Sequence, residues 1–391
     1  MFFTRDFVQK LQARLTNEDN PLIQVVLGPR QVGKTTGVKT VLRNIKSSHY
    51  ANADLASAPN QQWIIEQWQT AKALGKGTVL VLDEIQKINR WSDVVKGLFD
   101  EDRETGFIKP VLLGSSSLTL REGLGDSLLG RFELIEVPHW SYKECKEAFG
   151  WDLNTYLMYG GYPGPANLID DSERWQSFMR ESVLESVLSK DIFMLAKIGK
   201  PALFRQVLEL SLLYPAQEIS YQKIVGQLQE RGSVETIKSY LNILNSAYLI
   251  STLEKFSTRP LSTKNSSPKI LPLCPALFHA IKNPSDILTN PTWRGRIIEA
   301  AVGAHLKKLP GVKIFYWREG NDEVDFVLKH ENNVLGVEVK SGAQHKGEGT
   351  SAFRIKFKNS KCITLNETLL AKFLEMTPHS ECREWLYSLG V

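Results

Sequence analysis

The sequence predicts an α/β protein of several domains, led by a parallel β-sheet wrapped by helices. Three observations carry that prediction. Apolar strand-like runs alternate with helical patterns over residues 20–137. A glycine-bearing turn joins the first of these runs to a helix. At 391 residues the chain is too long for a single core, and two to four domains are expected.

The first run, Leu22-Ile23-Gln24-Val25-Val26-Leu27, is apolar and β-branched and reads as a buried strand. It leads into Gly28-Pro29-Arg30-Gln31-Val32-Gly33-Lys34-Thr35-Thr36, which fits the spacing G-x-x-x-x-G-K-[ST] of a phosphate-binding P-loop. The segment from Thr36 to Arg43 has no proline and spaces Val38, Val41 and Leu42 as a helix does. Such a loop aims successive N–H groups and the positive helix end at a phosphate, and its glycines adopt backbone geometry that a Cβ forbids. Lys34 is expected to reach the β- and γ-phosphates of ATP, and the Thr35 hydroxyl to ligate Mg²⁺.

The acidic partner lies about fifty residues on. Thr78-Val79-Leu80-Val81-Leu82-Asp83-Glu84 is an apolar strand ending in two carboxylates, Asp83 for the Mg²⁺ shell and Glu84 to polarise the attacking water. Residues 1–20 read as an amphipathic helix with Phe3, Phe7, Leu11 and Leu15 on one face. His49 to Asp54 reads as a second strand, and Ala58 to Leu74 as a helix. Lys109 to Gly114 is a further strand, ending in Ser115-Ser116-Ser117. Ligands of parallel sheets sit at the carboxyl ends of the strands. Ser115 and Ser116 therefore either sense the γ-phosphate or form a plain turn. Arg131, before the strand Leu134 to Val137, is either an arginine finger toward a neighbouring subunit of a homo-oligomer or half of a surface ion pair.

Composition narrows the rest. Cys145, Cys274, Cys362 and Cys382 lack C-x-x-C spacing, as expected of reduced thiols in the cytoplasm, with neither a disulfide framework nor a zinc site. No apolar run approaches membrane-spanning length, so no membrane partner is expected. A net charge of +5 spread over this length is only a weak pointer to a polyanionic partner.

Together the P-loop, Leu82-Asp83-Glu84-Ile85-Gln86, Leu113-Gly114-Ser115-Ser116-Ser117 and Leu129-Gly130-Arg131 resemble AAA+ ATPases of bacteria and archaea. In that family a winged helix and a restriction-endonuclease-like domain follow the ATPase domain. The resemblance implies an ATPase core over residues 1–140 and a helical lid and linker over 141–214, opened by the glycine-rich turn Tyr159-Gly160-Gly161-Tyr162-Pro163. It further implies a winged helix-turn-helix over 215–270 and a nuclease-like domain over 271–391. The segments 219–228 and 233–241, two short helices about a tight turn, read as that helix-turn-helix. With Ser233 as N-cap and Lys238 on its face, the second helix either packs on protein or contacts DNA. Residues 257–269, rich in Ser, Thr, Pro, Lys and Asn, read as a wing or linker. Cys274 departs from the family, which usually carries an Asp there.

The C-terminal strands bring a second group of charges. Asp325 lies early in Glu323 to Leu328, while Glu338 and Lys340, two apart, share a face of Val334 to Lys340. Two carboxylates beside one ammonium are the makings of a Mg²⁺ site. The pattern resembles the PD-(D/E)XK nuclease core, and that resemblance matches Glu299 to the acidic residue of the fold's first helix. Lys340 to Lys361 holds six basic residues against the single acid Glu348, which suits either a nucleic-acid backbone or a solvated edge. The expected function is Mg²⁺-dependent ATP hydrolysis coupled to a nuclease-like module that acts on or binds DNA. The alternative is a nucleotide-switched DNA- or protein-binding assembly factor that does not cut.

Overall fold

A computed structural model describes residues 3–17, 20–114, 123–125, 127–194, 198–230, 232–257, 266–282, 290–340 and 348–389. The chain divides into two compact units, Met1–Pro138 and His139–Val391.

In the first unit, five short strands form one parallel sheet: β1 (Ile23–Leu27), β2 (Ser48–Asn52), β3 (Thr78–Asp83), β4 (Ile108–Gly114) and β5 (Phe132–Glu136). Their order is β2-β3-β4-β1-β5, so β4 separates the phosphate-loop strand from the acidic strand. Strands β1 and β3 are buried along their whole length, which explains their unbroken apolar runs. Pairing Val26 and Asp83 with the same residue, Leu113, brings the ends of β1, β3 and β4 to one edge.

Helices α1 (Asp6–Thr16), α2 (Lys34–Leu42), α3 (Gln61–Ala73) and α4 (Trp91–Asp102) complete the layers. Helix α1 buries Phe7, Val8, Leu11 and Leu15, with Phe3 only half-buried. It packs so close to α2 that a Cβ on Gly37 would stand 2.2 Å from the Phe7 ring. Each apolar side chain buried in this way contributes about 1.5–3 kcal/mol.

The second unit opens with helices Tyr142–Phe149 and Leu153–Tyr159. A helical stretch then runs from Ser172 to Phe193, much of it in wide π-helical turns, and Pro201–Leu213 follows. The expected helix pair forms as Tyr221–Gln227 and Val234–Ser246, the second capped by the Ser233 side chain. A small antiparallel sheet accompanies it: β6 (Gln217–Glu218), β7 (Ile250–Leu253) and β8 (Lys269–Pro272), in the order β6-β8-β7. Strand β8 corrects the reading of 257–269 as linker throughout, because Lys269 is buried within it; residues 258–265 lie outside the described set.

A second sheet holds β9 (Lys313–Glu319), β10 (Asp322–His330), β11 (Asn333–Val339) and β12 (Ser360–Leu365), ordered β12-β11-β10-β9. It is antiparallel except for β11 and β12, which run parallel and are joined through the helix Glu348–Lys356. The helix Pro291–Leu306 carries Glu299. Among the described residues, no helix is long and apolar enough to cross a membrane.

Candidate active site of the ATPase core and the C-terminal charge cluster

The phosphate loop leaves β1 through Gly28, where a Cβ would meet the Val137 carbonyl oxygen at 2.0 Å. No other residue fits so close an approach of two backbone segments. Gly33 caps α2 in the left-handed region at φ +91°, a conformation that glycine adopts without a Cβ penalty. Lys34 is buried and its ammonium donates to the carbonyls of Gly28 (2.9 Å) and Pro29 (2.7 Å), holding the loop in a curl. Thr36 is the third residue of the same helix, within its first turn.

Across the sheet edge the Thr35 hydroxyl donates to Asp83 Oδ2 at 3.0 Å. A hydroxyl and a carboxylate oxygen this close at the mouth of a phosphate loop are the oxygen donors that Mg²⁺ takes, so these residues fit the ion. Tyr50 of β2, which the sequence reading gave no role, donates to the same Asp83 oxygen at 2.6 Å. Burial, and then the hydrogen bond to Asp83, raises its phenol above the ordinary tyrosine range.

Glu84 occupies the left-handed region, φ +56°, which few residues other than glycine adopt. Its Oε2 accepts from the Gln86 side chain at 2.5 Å, and Arg30 of the phosphate loop approaches to 3.8 Å. Loop residue Gln31 is likewise left-handed at φ +60°, while Val32 is wholly buried. Ser115 and Ser116 lie outside the described residues.

Arg131 stands just before β5, whose first residue pairs with the first residue of β1. The sheet is parallel, so Arg131 is at the opposite edge from the phosphate loop, about 15 Å away along five residues. Its Nε and Nη2 bond the two Asp100 oxygens at 2.7 and 2.9 Å.

The C-terminal charges also converge, with one addition. Glu299 and Asp325 come together around Lys269 of β8, and the Glu338–Lys340 pair lies near enough to Asp325 to feel its charge. The Lys269 ammonium ion-pairs with Glu299, stands 3.8 Å from Asp325 Oδ1 and donates to the Asp325 carbonyl at 3.2 Å. Asp325 Oδ2 accepts the Val339 N–H at 2.8 Å, and Lys340 donates to Glu338 Oε1 at 2.5 Å. Burial works against the Lys269 charge, but Glu299 and Asp325 outweigh it and keep the ammonium protonated above the usual lysine range. Burial, and then repulsion from Asp325, raises the carboxyls of Glu299 and Glu338.

Beside the cluster opens a cleft of about 250 Å³, lined by Arg296 and Arg318 as well as Glu299, Glu323 and Asp325. Among the described residues, no three His, Cys, Asp or Glu side chains converge as an ion's ligand set. The donors Glu299 and Asp325 are already taken by Lys269, so the residues present do not fit the Mg²⁺ expected there. Cys274 lies elsewhere, buried against Gly161 of the glycine-rich turn, its thiol pushed up to about 12 by burial.

A parallel sheet with its phosphate loop and acidic strand at one edge, separated by an intervening strand, defines a P-loop NTPase domain. Comparison with known proteins narrows the class. The family model described as "AAA domain" matches residues 20–146, so this stretch is an AAA-type ATPase domain. Two models of domains of unknown function, DUF8612 and DUF4143, match residues 150–286 and 294–375. No curated protein matches the sequence. Among solved structures, the chain resembles the Walker-type ATPase PABY2304 of Pyrococcus abyssi, with 14% identity and a TM-score of 0.50 over 72% of this chain and 96% of that one. It also resembles the RuvB Holliday junction branch migration motor of Thermotoga maritima, with 19% identity over 64% of this chain and 90% of that one. The TM-score there is 0.35, too slight to bear on the fold.

Proposed function

We propose that the chain hydrolyses Mg²⁺-ATP and uses the cycle to control a C-terminal, nuclease-like module that holds nucleic acid. The observation that carries the ATPase part is the Thr35 hydroxyl set 3.0 Å from Asp83 at the loop mouth. In this reading Lys34 leaves the Gly28 and Pro29 carbonyls for the β- and γ-phosphates. Thr35 and Asp83 hold Mg²⁺, which neutralises charge on the phosphate oxygens. Glu84, released from Gln86, polarises the attacking water. Arg131 serves a neighbouring subunit in a homo-oligomer, after giving up Asp100.

For residues 141–391 the reading is a helical lid and linker, a winged helix and a nuclease-like domain. The cleft arginines Arg296 and Arg318 and the basic side chains Arg354, Lys356, Lys358 and Lys361 supply contacts to a phosphate backbone. A second reading, metal-dependent cleavage by Asp325, Glu338 and Lys340, is favoured by one feature: the buried Glu338 Oε2 has no hydrogen-bond partner among the described residues.

One experiment tests these readings together. ATP turnover, duplex binding across a salt series and cleavage of a panel of duplex, single-stranded and branched DNAs would be measured for wild type, Lys34→Ala and Glu338→Ala. The ATPase reading requires that Lys34→Ala abolish turnover. The nucleic-acid reading requires affinity that falls steeply with salt. Cutting by wild type and not by Glu338→Ala would establish the second reading.

A further inference from the structure

Strand β8 inserts a lysine where a carboxylate cluster would otherwise need an external cation. The Lys269 side chain is 9% exposed, and its ammonium is fixed from several sides. Glu299 of the helix Pro291–Leu306 ion-pairs with it, Asp325 of β10 faces it through both a side-chain oxygen and its carbonyl, and the Phe326 ring lies 5.1 Å away. The remaining Asp325 oxygen is turned away to the Val339 amide, and the nearer Glu338 oxygen is held by Lys340.

A divalent ion takes several oxygens that point at one centre at about 2.0–2.6 Å. Here Glu299 Oε1, both Asp325 oxygens and Glu338 Oε1 point at an ammonium or at backbone, and an arriving ion would be repelled by Lys269. The lysine carries the positive charge and the hydrogen bonds that such a cluster requires, and it is covalently part of the fold.

We propose that Lys269 is the resident cation of this cluster, so that the C-terminal domain is a metal-independent binding module. The proposal rests on the nuclease-like reading of this domain and decides against its cutting version. The geometry that forms an ion's ligand set elsewhere is here spent on a tethered one. Removing the tether should therefore create a metal site bounded by Glu299, Asp325 and Glu338.

The test uses the full chain without nucleotide. Mn²⁺ binding is followed by electron paramagnetic resonance and by thermal shift for wild type, Asp325→Asn, Lys269→Met and Lys269→Met/Asp325→Asn. Wild type and Asp325→Asn should bind Mn²⁺ alike, because Asp325 holds none. Lys269→Met should gain at least tenfold in Mn²⁺ affinity, and the added Asp325→Asn should remove that gain. If Lys269→Met does not fold, Lys269→Gln, which keeps a polar side chain beside all three carboxylates, should show the gain.

Mn²⁺ bound by wild type and lost in Asp325→Asn would overturn the proposal, as would a folded lysine variant with no gain. Mn²⁺-dependent cutting of DNA by wild type, lost in Glu338→Gln, would overturn it too. A parallel duplex titration in EDTA keeps the two readings apart. Absence of DNA binding removes the nucleic-acid function and leaves the Mn²⁺ result standing, whereas equal affinity in EDTA and Mg²⁺ supports both.

Discussion

Tyr50 donates its hydroxyl proton to Asp83 Oδ2 at 2.6 Å from the neighbouring strand, so the carboxylate assigned to the Mg²⁺ shell is oriented by a phenol. Removing it should leave nucleotide contacts intact and loosen the acid. Tyr50→Phe is expected to lower kcat about 3- to 10-fold, the equivalent of one lost hydrogen bond of about 1 kcal/mol, and to raise the Mg²⁺ concentration for half-maximal rate. Steady-state ATPase assays over a Mg²⁺ series check this. An unchanged Mg²⁺ dependence would confine Tyr50 to packing.

Lys34 and Glu84 should fail in different ways. Lys34 binds phosphate, so Lys34→Ala should weaken ATP affinity at least tenfold as well as abolish turnover. Glu84 acts on water, so Glu84→Gln should bind ATP at near wild-type affinity and turn over at least a hundredfold more slowly. Nucleotide titration by calorimetry beside single-turnover hydrolysis separates the two outcomes.

Two buried histidines make the second unit acid-sensitive. Burial holds the imidazoles of His279 and His305 down to about 3. His279 Nε2 lies 3.1 Å from the Leu157 carbonyl, and His305 Nε2 has no partner among the described residues. The unfolded chain takes up these protons near pH 6.5 while the folded chain refuses them. Their stabilisation is therefore complete above pH 6.5 and is lost as the pH falls from there toward 3, by up to about 1 kcal/mol each at pH 5.5. Thermal melts from pH 8 to 5 should show this decline, and His305→Leu should flatten it.

Gly161 sits at φ +117°, where a Cβ would lie 2.5 Å from Cys274 Cβ. Gly161→Ala combines backbone strain with overlap and should destabilise the second unit by about 2–4 kcal/mol, lowering Tm by several degrees. Adding Cys274→Gly removes the overlap but not the strain, so it should restore only part of the loss. Full recovery would assign the whole effect to packing.

The ATPase core was legible because buried parallel strands need continuous apolar runs, and the glycine positions mark where backbones crowd. Strand order was not legible, since pairing across β4 depends on contacts far apart in sequence. Tyr50 was missed for that reason: only the adjacency of β2 and β3 aims it at Asp83. The register of β5 on β1 sets Arg131 at the edge of the sheet away from the phosphate loop, which the residue pattern alone did not show. Lys269 was missed because it follows a polar, proline-bearing tract and reads as solvated. The apolar Ile270-Leu271 next to it was the available signal. The expected carboxylates did meet, but a lysine met them first.

The parallel pairing of β11 with β12 bears on when Lys340 is held in place. A hairpin closes as soon as its second strand leaves the ribosome, whereas β11 waits for Ser360–Leu365, beyond a helical crossover. Until then β11, the strand that ends beside Lys340, is an open edge able to pair with another chain. Lys340, whose N–H donates to the Leu365 carbonyl at 2.9 Å, is thus fixed only late in synthesis. A nascent chain stalled between residues 340 and 360 would present that edge to whatever β-strand it meets.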